Sequence, residues 1–307
     1  MDGIILINKP PNFTSFDIVA IMKKLTKAKK VGHAGTLDPL ATGVLPILIG
    51  KATKVQEIFL NKTKEYIATF QLGIETDSED ITGQILKRSA VPDLDKKDIE
   101  GILKLLLGKQ EQTPPMYSAV KQNGQRLYTL ARQGLVIPRS KRSIEIKNIQ
   151  LIDYNAETKR VTISTTCSKG TYVRTLCADI GKKLGCSATL TTLERIRSGP
   201  FYLKDCITLD AAKDYCKKGI LHQHIMPIEC IFGDYNCVNL TFAQGNRFKN
   251  GGNIDLNRVS IEDYRNSEIF KVYAPKSPQS ACSYDFLGLG KINLENNELM
   301  FFKLLKS

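Results

Sequence analysis

The sequence predicts a mixed α/β or α+β domain followed by a small β-rich module. Stretches with strand character alternate with only a few helical ones, which is typical of one mixed sheet covered by helices. The length of 307 residues exceeds one typical compact core. After residues 231–236 the chain changes to short apolar pieces separated by turns such as Asn250-Gly251-Gly252, which indicates a separate module.

The first elements are a strand and a capped helix. Gly3 to Asn8 is a short apolar run followed by a lysine and two prolines, which predicts a strand that ends in a turn. Thr14 with Asp17 three positions later forms a capping-box pattern. The apolar residues that follow recur at helical spacing, so we expect a helix there.

The central elements follow from periodicity. Residues 65–72 alternate between apolar and other side chains and predict a strand, whereas residues 95–107 show helical spacing with Gly108 as a stop. Two alternating stretches, residues 143–154 and 160–166, predict paired strands. Residues 171–184 form the clearest helical pattern, with a single apolar stripe that ends at Gly185.

The charge of the chain is strongly basic and unevenly placed. The formal net charge is +13, and residues 235–307 contribute only +2 of it, with nine basic and seven acidic side chains. Residues 19–31 and 114–142 contain no acidic residue at all. A lysine cluster alone is ordinarily a solvated face, but two acid-free stretches in one chain favour an RNA or DNA partner.

Several classes of protein are excluded by what the sequence lacks. No apolar run is long enough to span a bilayer, and the first residues do not have the layout of a signal peptide. The eight cysteines form no CxxC pair, the three histidines form no metal-ligand cluster, and no GxGxxG or Walker loop occurs. We therefore expect a cytoplasmic protein with reduced thiols, no membrane association, no metal and no nucleotide cofactor.

Residues 32–46, GHAGTLDPLATGVLP, form the most unusual segment. They follow neither periodicity and place glycines and prolines around one acid, Asp38. Loops of this composition fix the direction of a side chain and often carry function. The ordinary alternative is an Asp-Pro turn in which Asp38 caps its own backbone. No Ser/His/Asp set accompanies it, since His33 lies close in sequence and the other histidines are remote.

Five blocks of sequence, in order, resemble the TruB-type bacterial tRNA pseudouridine-55 synthases. They are GHAGTLDPLATG (32–43), KEYIATFQLGIETDSEDITG (64–83), PPMYSAVKQNGQRLYTLARQG (114–134), CSKGTYVRTLCADIG (167–181) and LERIRSGPF (193–201). The resemblance implies a pseudouridine-synthase catalytic domain over 1–232, built on a mixed, largely antiparallel sheet, with 114–142 as an RNA-clasping insertion. Residues 233–307 resemble the PUA-like RNA-binding domain of the family in placement and size only.

The reaction that the resemblance implies isomerises uridine 55 in the T-loop of tRNA. The N1–C1′ glycosidic bond breaks, the uracil turns, and C5 bonds to C1′. Atoms and charge balance, so the implied reaction requires no cofactor. The implied partner is the T-arm of tRNA, bound by a monomer.

The resemblance also assigns roles to residues of the catalytic centre. Asp38 matches the essential aspartate and Arg174 the arginine that orients it through its guanidinium fork. Tyr66 matches the tyrosine that stacks on the uracil and assists loss of the C5 proton. Tyr172 and Leu193 match residues that line the uracil pocket. From the residues alone, Tyr66, Tyr172 and Leu193 are better explained as core residues, and the plain alternative for Arg174 is a helix-surface ion pair.

The remaining assignments concern RNA binding. The target base must leave the stack to react, and His33 matches the histidine that fills the vacated place. Lys9 and the lysines of the first helix are expected to hold the T-arm backbone, together with the insertion. The basic residues of the insertion are Lys121, Arg126, Arg132, Arg139, Lys141 and Arg142.

Two other functions stay open at this point. A guide-RNA-dependent pseudouridine synthase shares these motifs, and a non-catalytic RNA-binding protein or tRNA chaperone keeps the fold without the chemistry. We expect the stand-alone enzyme, because the chain begins almost directly at the first strand and ends after one small module. The joint presence of Asp38, Tyr66 and Arg174 argues against lost chemistry.

Overall fold

The computed structural model describes residues 2–122, 124–261, 264–265, 268–279 and 283–305. Strands in the first part of the chain are β1 (Gly3–Lys9), β2 (Val31–His33), β3 (Thr42–Ile49), β4 (Lys64–Leu72), β5 (Ile74–Thr76), β6 (Ile85–Arg88), β7 (Gly108–Gln112), β8 (Lys121–Gln122), β9 (Gln125–Arg126), β10 (Arg142–Asn155), β11 (Arg160–Cys167), β12 (Ala188–Ser198), β13 (Phe201–Tyr202) and β14 (Ile207–Thr208). Strands after residue 235 are β15 (Cys237–Asn239), β16 (Ile254–Asp255), β17 (Ile269–Pro275), β18 (Tyr284–Asn293) and β19 (Glu298–Leu304).

The α-helices are α1 (Ser15–Thr26), α2 (Gln56–Leu60), α3 (Lys96–Lys104), α4 (Leu127–Arg132), α5 (Val173–Lys183), α6 (Leu209–Lys217) and α7 (Phe242–Lys249). Short 3-10 helices cover Gly50–Val55, Leu203–Asp205, Leu221–His224, Ile228–Phe232 and Leu256–Arg258. Within the described ranges, no helix has the length and apolar composition that a membrane crossing requires.

One large sheet carries the first part of the chain. Its strand order is β14-β1-β3-β12-β4-β11-β10-β7, with β2 on β3 and β13 on β12. Neighbours are antiparallel except β1 with β14 and β3 with β12, which are parallel. The predicted mixed, largely antiparallel sheet is therefore confirmed, and so is the predicted pairing of the strands now seen as β10 and β11.

Both faces of the sheet are buried, and β1 illustrates how. Its alternation sends Ile5 and Ile7 into a core formed with α1, α3, α5 and α6, whereas Ile4 and Leu6 enter a second core on the other face. A strand buried on both faces needs a continuous apolar run, which is what the sequence of β1 provides. The large sheet is thus a central layer.

The predicted helices are present, with differences at their boundaries. The capping box of Thr14 and Asp17 opens α1, and α5 occupies the clearest helical pattern. The helix predicted over residues 95–107 ends at Lys104 instead. Gly108 does not stop that helix but begins β7, with a φ of +93°. Leu106, between the helix and the strand, is buried, and β7 pairs with β10.

A second sheet forms the C-terminal module, in the order β15-β17-β18-β19-β16. It has a core of its own and also packs Leu289 and Leu305 against Phe232 in the second core of the large sheet. The small β-rich module predicted after residues 231–236 is therefore present. The seven described cysteines are free thiols, and Cys282 lies outside the described residues.

Candidate active site

The unusual loop joins two adjacent strands of the large sheet. It runs from the end of β2 to the start of β3 and carries Asp38 at its tip. The backbone forms a turn in which Ala41 N–H donates to the Asp38 carbonyl at 3.0 Å. The Asp38 side chain is one-third exposed (33%) and reaches away from this turn. An Asp-Pro turn is therefore present, but the Asp38 carboxylate forms an ion pair outside this turn.

That partner is Arg174, in the first turn of α5. Its Nε lies 2.9 Å from Asp38 Oδ2, and its Nη2 donates to Asp38 Oδ1 at 3.3 Å. The Arg174 side chain is almost fully buried, so it is not the surface ion pair that was the plain alternative. A buried guanidinium paired with a part-exposed carboxylate fixes the direction of that carboxylate.

The two Nη atoms of Arg174 have further partners. Nη1 donates to the Ser78 carbonyl at 2.6 Å and lies 3.8 Å from Asp80 Oδ2, while Nη2 donates to the Tyr117 carbonyl at 2.8 Å. Asp80 is buried, and the sequence reasoning missed it. Its signal was the acidic run within the second motif block, Asp77-Ser78-Glu79-Asp80, directly after strand β5.

The residues matched to the uracil pocket lie on β4, on β12 and at the start of α5. Tyr66 on β4 is buried, and burial raises the pKa of its hydroxyl, which keeps the phenol neutral. Leu193 on β12 is buried opposite Ala68 of β4. Tyr172 caps α5, and Gln112 holds its backbone by accepting from its N–H at 2.8 Å and donating to its carbonyl at 3.1 Å.

His33 ends β2 and lies beside an exposed aromatic. Its ring contacts Phe16 edge-on, with centroids 5.9 Å apart, and Phe16 is 67% exposed. Burial and the nearby charge of Arg195 lower the pKa of His33, so its ring is neutral at pH 7. The sequence did not single out Phe16, because its exposure follows from the fold.

Lys9 occupies a different position from the one expected for an RNA-binding lysine. It is fully buried, and its Nζ donates to the carbonyls of Pro10, Phe13 and Pro39 at 2.9, 2.7 and 3.1 Å. An ammonium group has three N–H donors, so none remains for a phosphate. Lys9 instead holds the residue that follows Asp38.

Two further buried cations lie close to the loop, and the sequence identified neither. Arg195 is 1% exposed, and Lys64 is buried with its Nζ on the carbonyls of Leu60 and Lys62. Desolvation by burial lowers the pKa of both Lys9 and Lys64 to about 8. The candidate site is thus a carboxylate with several buried positive charges beneath it.

The insertion forms a small two-stranded hairpin, β8 with β9, followed by α4. Arg126 and Arg132 flank the Tyr128 ring at 5.8 and 5.7 Å from its centroid. Arg139 donates to the Pro114 carbonyl at 3.0 Å and so ties the end of the insertion to its start. Lys141 lies 3.8 Å from Glu111. Of the basic side chains in the insertion, those exposed to solvent are Lys121, Arg126, Arg132, Lys141 and Arg142.

Comparisons with family models match most of the first part of the chain. The family model for the N-terminal domain of TruB family pseudouridylate synthases matches residues 23–173. The model for the tRNA pseudouridylate synthase B C-terminal domain matches residues 174–232. Both matches lie in the part of the chain that forms the large sheet and its covering elements.

Curated relatives match over more of the chain. The tRNA pseudouridine synthase B of Clostridium perfringens (strain SM101 / Type A) is 39% identical over 291 residues, which is 95% of each chain. The protein of the same name from Bacillus subtilis (strain 168) is 48% identical over 233 residues, 75% of each chain. Among solved structures, a chain in the crystal structure of a Cbf5-Nop10-Gar1 complex superposes with a TM-score of 0.75 at 25% identity, covering 99% of this chain and 85% of that one.

The fold, with a carboxylate loop facing an arginine at a helix start, places the chain among the isomerases built on the pseudouridine-synthase fold. The small second sheet is of the PUA-like type expected beside that fold. The chain belongs to the TruB family of pseudouridylate synthases. The predicted family and fold class are confirmed.

Proposed function

We propose that this chain is a stand-alone tRNA pseudouridine-55 synthase in which Asp38 is the catalytic carboxylate. The observation that carries the proposal is the pair of Asp38 and Arg174, with the carboxylate part-exposed and the arginine buried beneath it. A carboxylate so held can add to C1′ of the ribose or remove a proton from the sugar. Both steps require an immobile carboxylate oxygen, and the ion pair with Arg174 holds it in place.

The pocket residues receive complementary roles in this proposal. Tyr66 stacks its neutral ring on the uracil after the glycosidic bond breaks and stands near C5 when that carbon loses its proton. Leu193 and Tyr172 line the pocket in which the uracil turns. The base detaches, rotates and reattaches through C5, so the pocket must hold a free uracil and exclude competing water.

Binding of the T-arm is assigned to the basic surfaces. The exposed cations of the insertion and of α1 contact phosphates, and recognition rests largely on the shape of the folded RNA. The target uridine leaves the stack, and His33 fills the vacated place with a neutral ring. The catalytic domain comprises residues 1–232 with the insertion at 114–142. Residues 233–307 form the PUA-like RNA-binding domain of a cytoplasmic monomer.

Sequence identity favours a stand-alone enzyme that acts on tRNA over a guide-RNA-dependent enzyme. The curated relatives named tRNA pseudouridine synthase B share 38–48% of residues with this chain, whereas the Cbf5 chains share 21–25%. The solved structures that superpose on it therefore support the fold, and the sequence relatives support the substrate.

The test is incubation of the purified protein with an unmodified T-arm RNA and no additives. Pseudouridine is detected by chemical labelling, because isomerisation leaves the mass unchanged. We expect conversion at position 55 and none in an RNA with cytidine there. Absence of product with the wild-type protein overturns the enzymatic proposal, and tight RNA binding in that case favours the chaperone function.

A further inference from the structure

Arg195 is a buried cation that binds three backbone carbonyls. It lies on β12, is 1% exposed, and forms no salt bridge within the part of the chain that the structure describes. Burying a guanidinium is costly unless its donors are satisfied, so its partners are informative. Three of its side-chain hydrogen bonds go to backbone carbonyls of the segment that carries Asp38, and its side chain also interacts with the Tyr66 hydroxyl.

The three bonds hold both ends of the catalytic loop. Nη2 donates to the Gly35 carbonyl at 3.0 Å and Nη1 to the Thr36 carbonyl at 3.4 Å, on the side before Asp38. Nε donates to the Val44 carbonyl at 2.8 Å, on the side after it. A planar fork with donors in fixed directions sets the separation of these carbonyls, which a flexible ammonium does not do.

The glycines of the loop fit around the same residue. A Cβ on Gly43 would lie 2.3 Å from the Arg195 carbonyl oxygen, and one on Gly35 would lie 3.3 Å from Arg195 Nη1. Gly35 and Gly43 also have φ values of +102° and +101°, which favour glycine. Two glycines of the motif are therefore explained by the close approach of the loop to Arg195.

The neighbours of Arg195 complete the argument. In the sheet it pairs with Tyr66 on one side and with Gly43 on the other, so it lies between the tyrosine and the loop. Lys9 holds the Pro39 carbonyl at 3.1 Å, and Arg174 holds the Asp38 carboxylate. The loop is thus fixed at both ends, just after the acid, and at the acid itself.

We propose that Arg195 is a positioning residue for the isomerisation: its guanidinium is the template around which residues 35–44 fold, and it acts through the loop on Asp38. The inference rests on the proposed catalytic role of Asp38. Among the described residues, no hydrogen bond or ion pair joins Arg195 to the Asp38 carboxylate. A displacement of about 1 Å at a reacting group can reduce a rate by about 100-fold, so the template affects turnover more than RNA binding.

The experiment compares Arg195→Lys and Arg195→Ala with the wild-type protein. We expect Arg195→Ala to lower kcat by about 100-fold with RNA affinity changed less than about threefold. Arg195→Lys keeps the charge and should lie between the two. Millimolar guanidinium ion should restore part of the kcat of Arg195→Ala, because it can occupy the space left by the side chain, and should not restore Asp38→Asn.

A second readout does not depend on activity. Amide hydrogen exchange should increase within residues 35–44 in Arg195→Lys and remain at wild-type rates in the C-terminal module. It tests the template even if the wild-type protein makes no pseudouridine, so failure of this inference and of the proposed function are distinguishable. Arg197→Met is the matched control, because Arg197 lies on the same strand and donates to Gly199 instead, at 2.9 Å. We expect its kcat within about twofold of wild type.

The results that overturn the inference are specific. One is unchanged exchange in residues 35–44 in both Arg195 variants. Another is a fall in kcat matched by a general increase in exchange over the whole domain, with no rescue by guanidinium ion. Such results make Arg195 an ordinary contributor to stability.

Discussion

Arg174 and Tyr117 are joined by a hydrogen bond of 2.8 Å from Nη2 to the backbone carbonyl, and the same nitrogen donates to Asp38 Oδ1 at 3.3 Å. Tyr117 belongs to the insertion, and its hydroxyl also donates to Asp77 Oδ2 at 3.1 Å. One guanidinium nitrogen therefore links the carboxylate to the segment expected to clasp RNA. A shift of that segment must change the surroundings of Arg174.

This link predicts that loosening the insertion impairs turnover as well as binding. Arg139→Met removes the hydrogen bond to Pro114 that closes the insertion. We expect kcat to fall by about 10-fold and RNA affinity to weaken, measured by single-turnover kinetics and filter binding. Arg126→Met is the control, since the Arg126 side chain is exposed and lies on Tyr128, and it should weaken affinity alone. Equal effects of both variants on affinity, with kcat unchanged, contradict the link.

Asp38→Asn should separate chemistry from binding. The amide keeps the size of the side chain but removes the charge that both proposed steps need, so we expect kcat to fall by at least about 1,000-fold. RNA affinity should stay within about threefold, because phosphate contacts supply most of it. Asp214→Asn, at an exposed ion pair on α6, is the matched control. Product formation at wild-type rates by Asp38→Asn sinks the assignment.

The exposed cations of the insertion should control the salt dependence of binding. A lost phosphate contact reduces the slope of log Kd against log salt by about 1. We expect this reduction for Lys121→Ala and for Arg132→Ala, measured between low and physiological salt. Lys9→Met should leave the slope unchanged, because the ammonium group of Lys9 is buried on carbonyls. A slope reduced as much by Lys9→Met as by Lys121→Ala would restore Lys9 to the RNA interface.

Local sequence patterns were sufficient to predict several elements of the fold. The capping box of Thr14, the paired strands β10 and β11, and helix α5 each follow from short-range chemistry that the sequence displays directly. The end of α3 was not predicted correctly, because the apolar Leu106 is buried in the core without being part of the helix. Periodicity records burial but does not record which element covers an apolar residue.

The site was predictable only where a motif carried it. Asp38 and Arg174 are 136 positions apart, and no local signal joins them, so their pairing came from the resemblance. Lys9 and Arg195 were harder, because a basic residue in a basic protein suggests a surface. Both are instead buried on backbone carbonyls, an arrangement that depends on the folded path of the loop.

Lys9 and Lys64 should give the stability a distinctive pH dependence. Burial lowers the pKa of each from 10.5 to about 8, so between these values the unfolded chain binds more protons than the folded one. Each lysine therefore makes the free energy of unfolding rise with pH in this window, by up to about 1.4 kcal/mol per pH unit. Buried thiols such as Cys167, whose pKa is raised to about 11, contribute the opposite slope, so variants must be compared with wild type.

In urea unfolding between pH 8 and 10, Lys9→Met and Lys64→Met should each have a less positive slope than wild type. The exposed Lys213→Met should match wild type, and an unchanged slope in both buried-lysine variants contradicts the lowered pKa values.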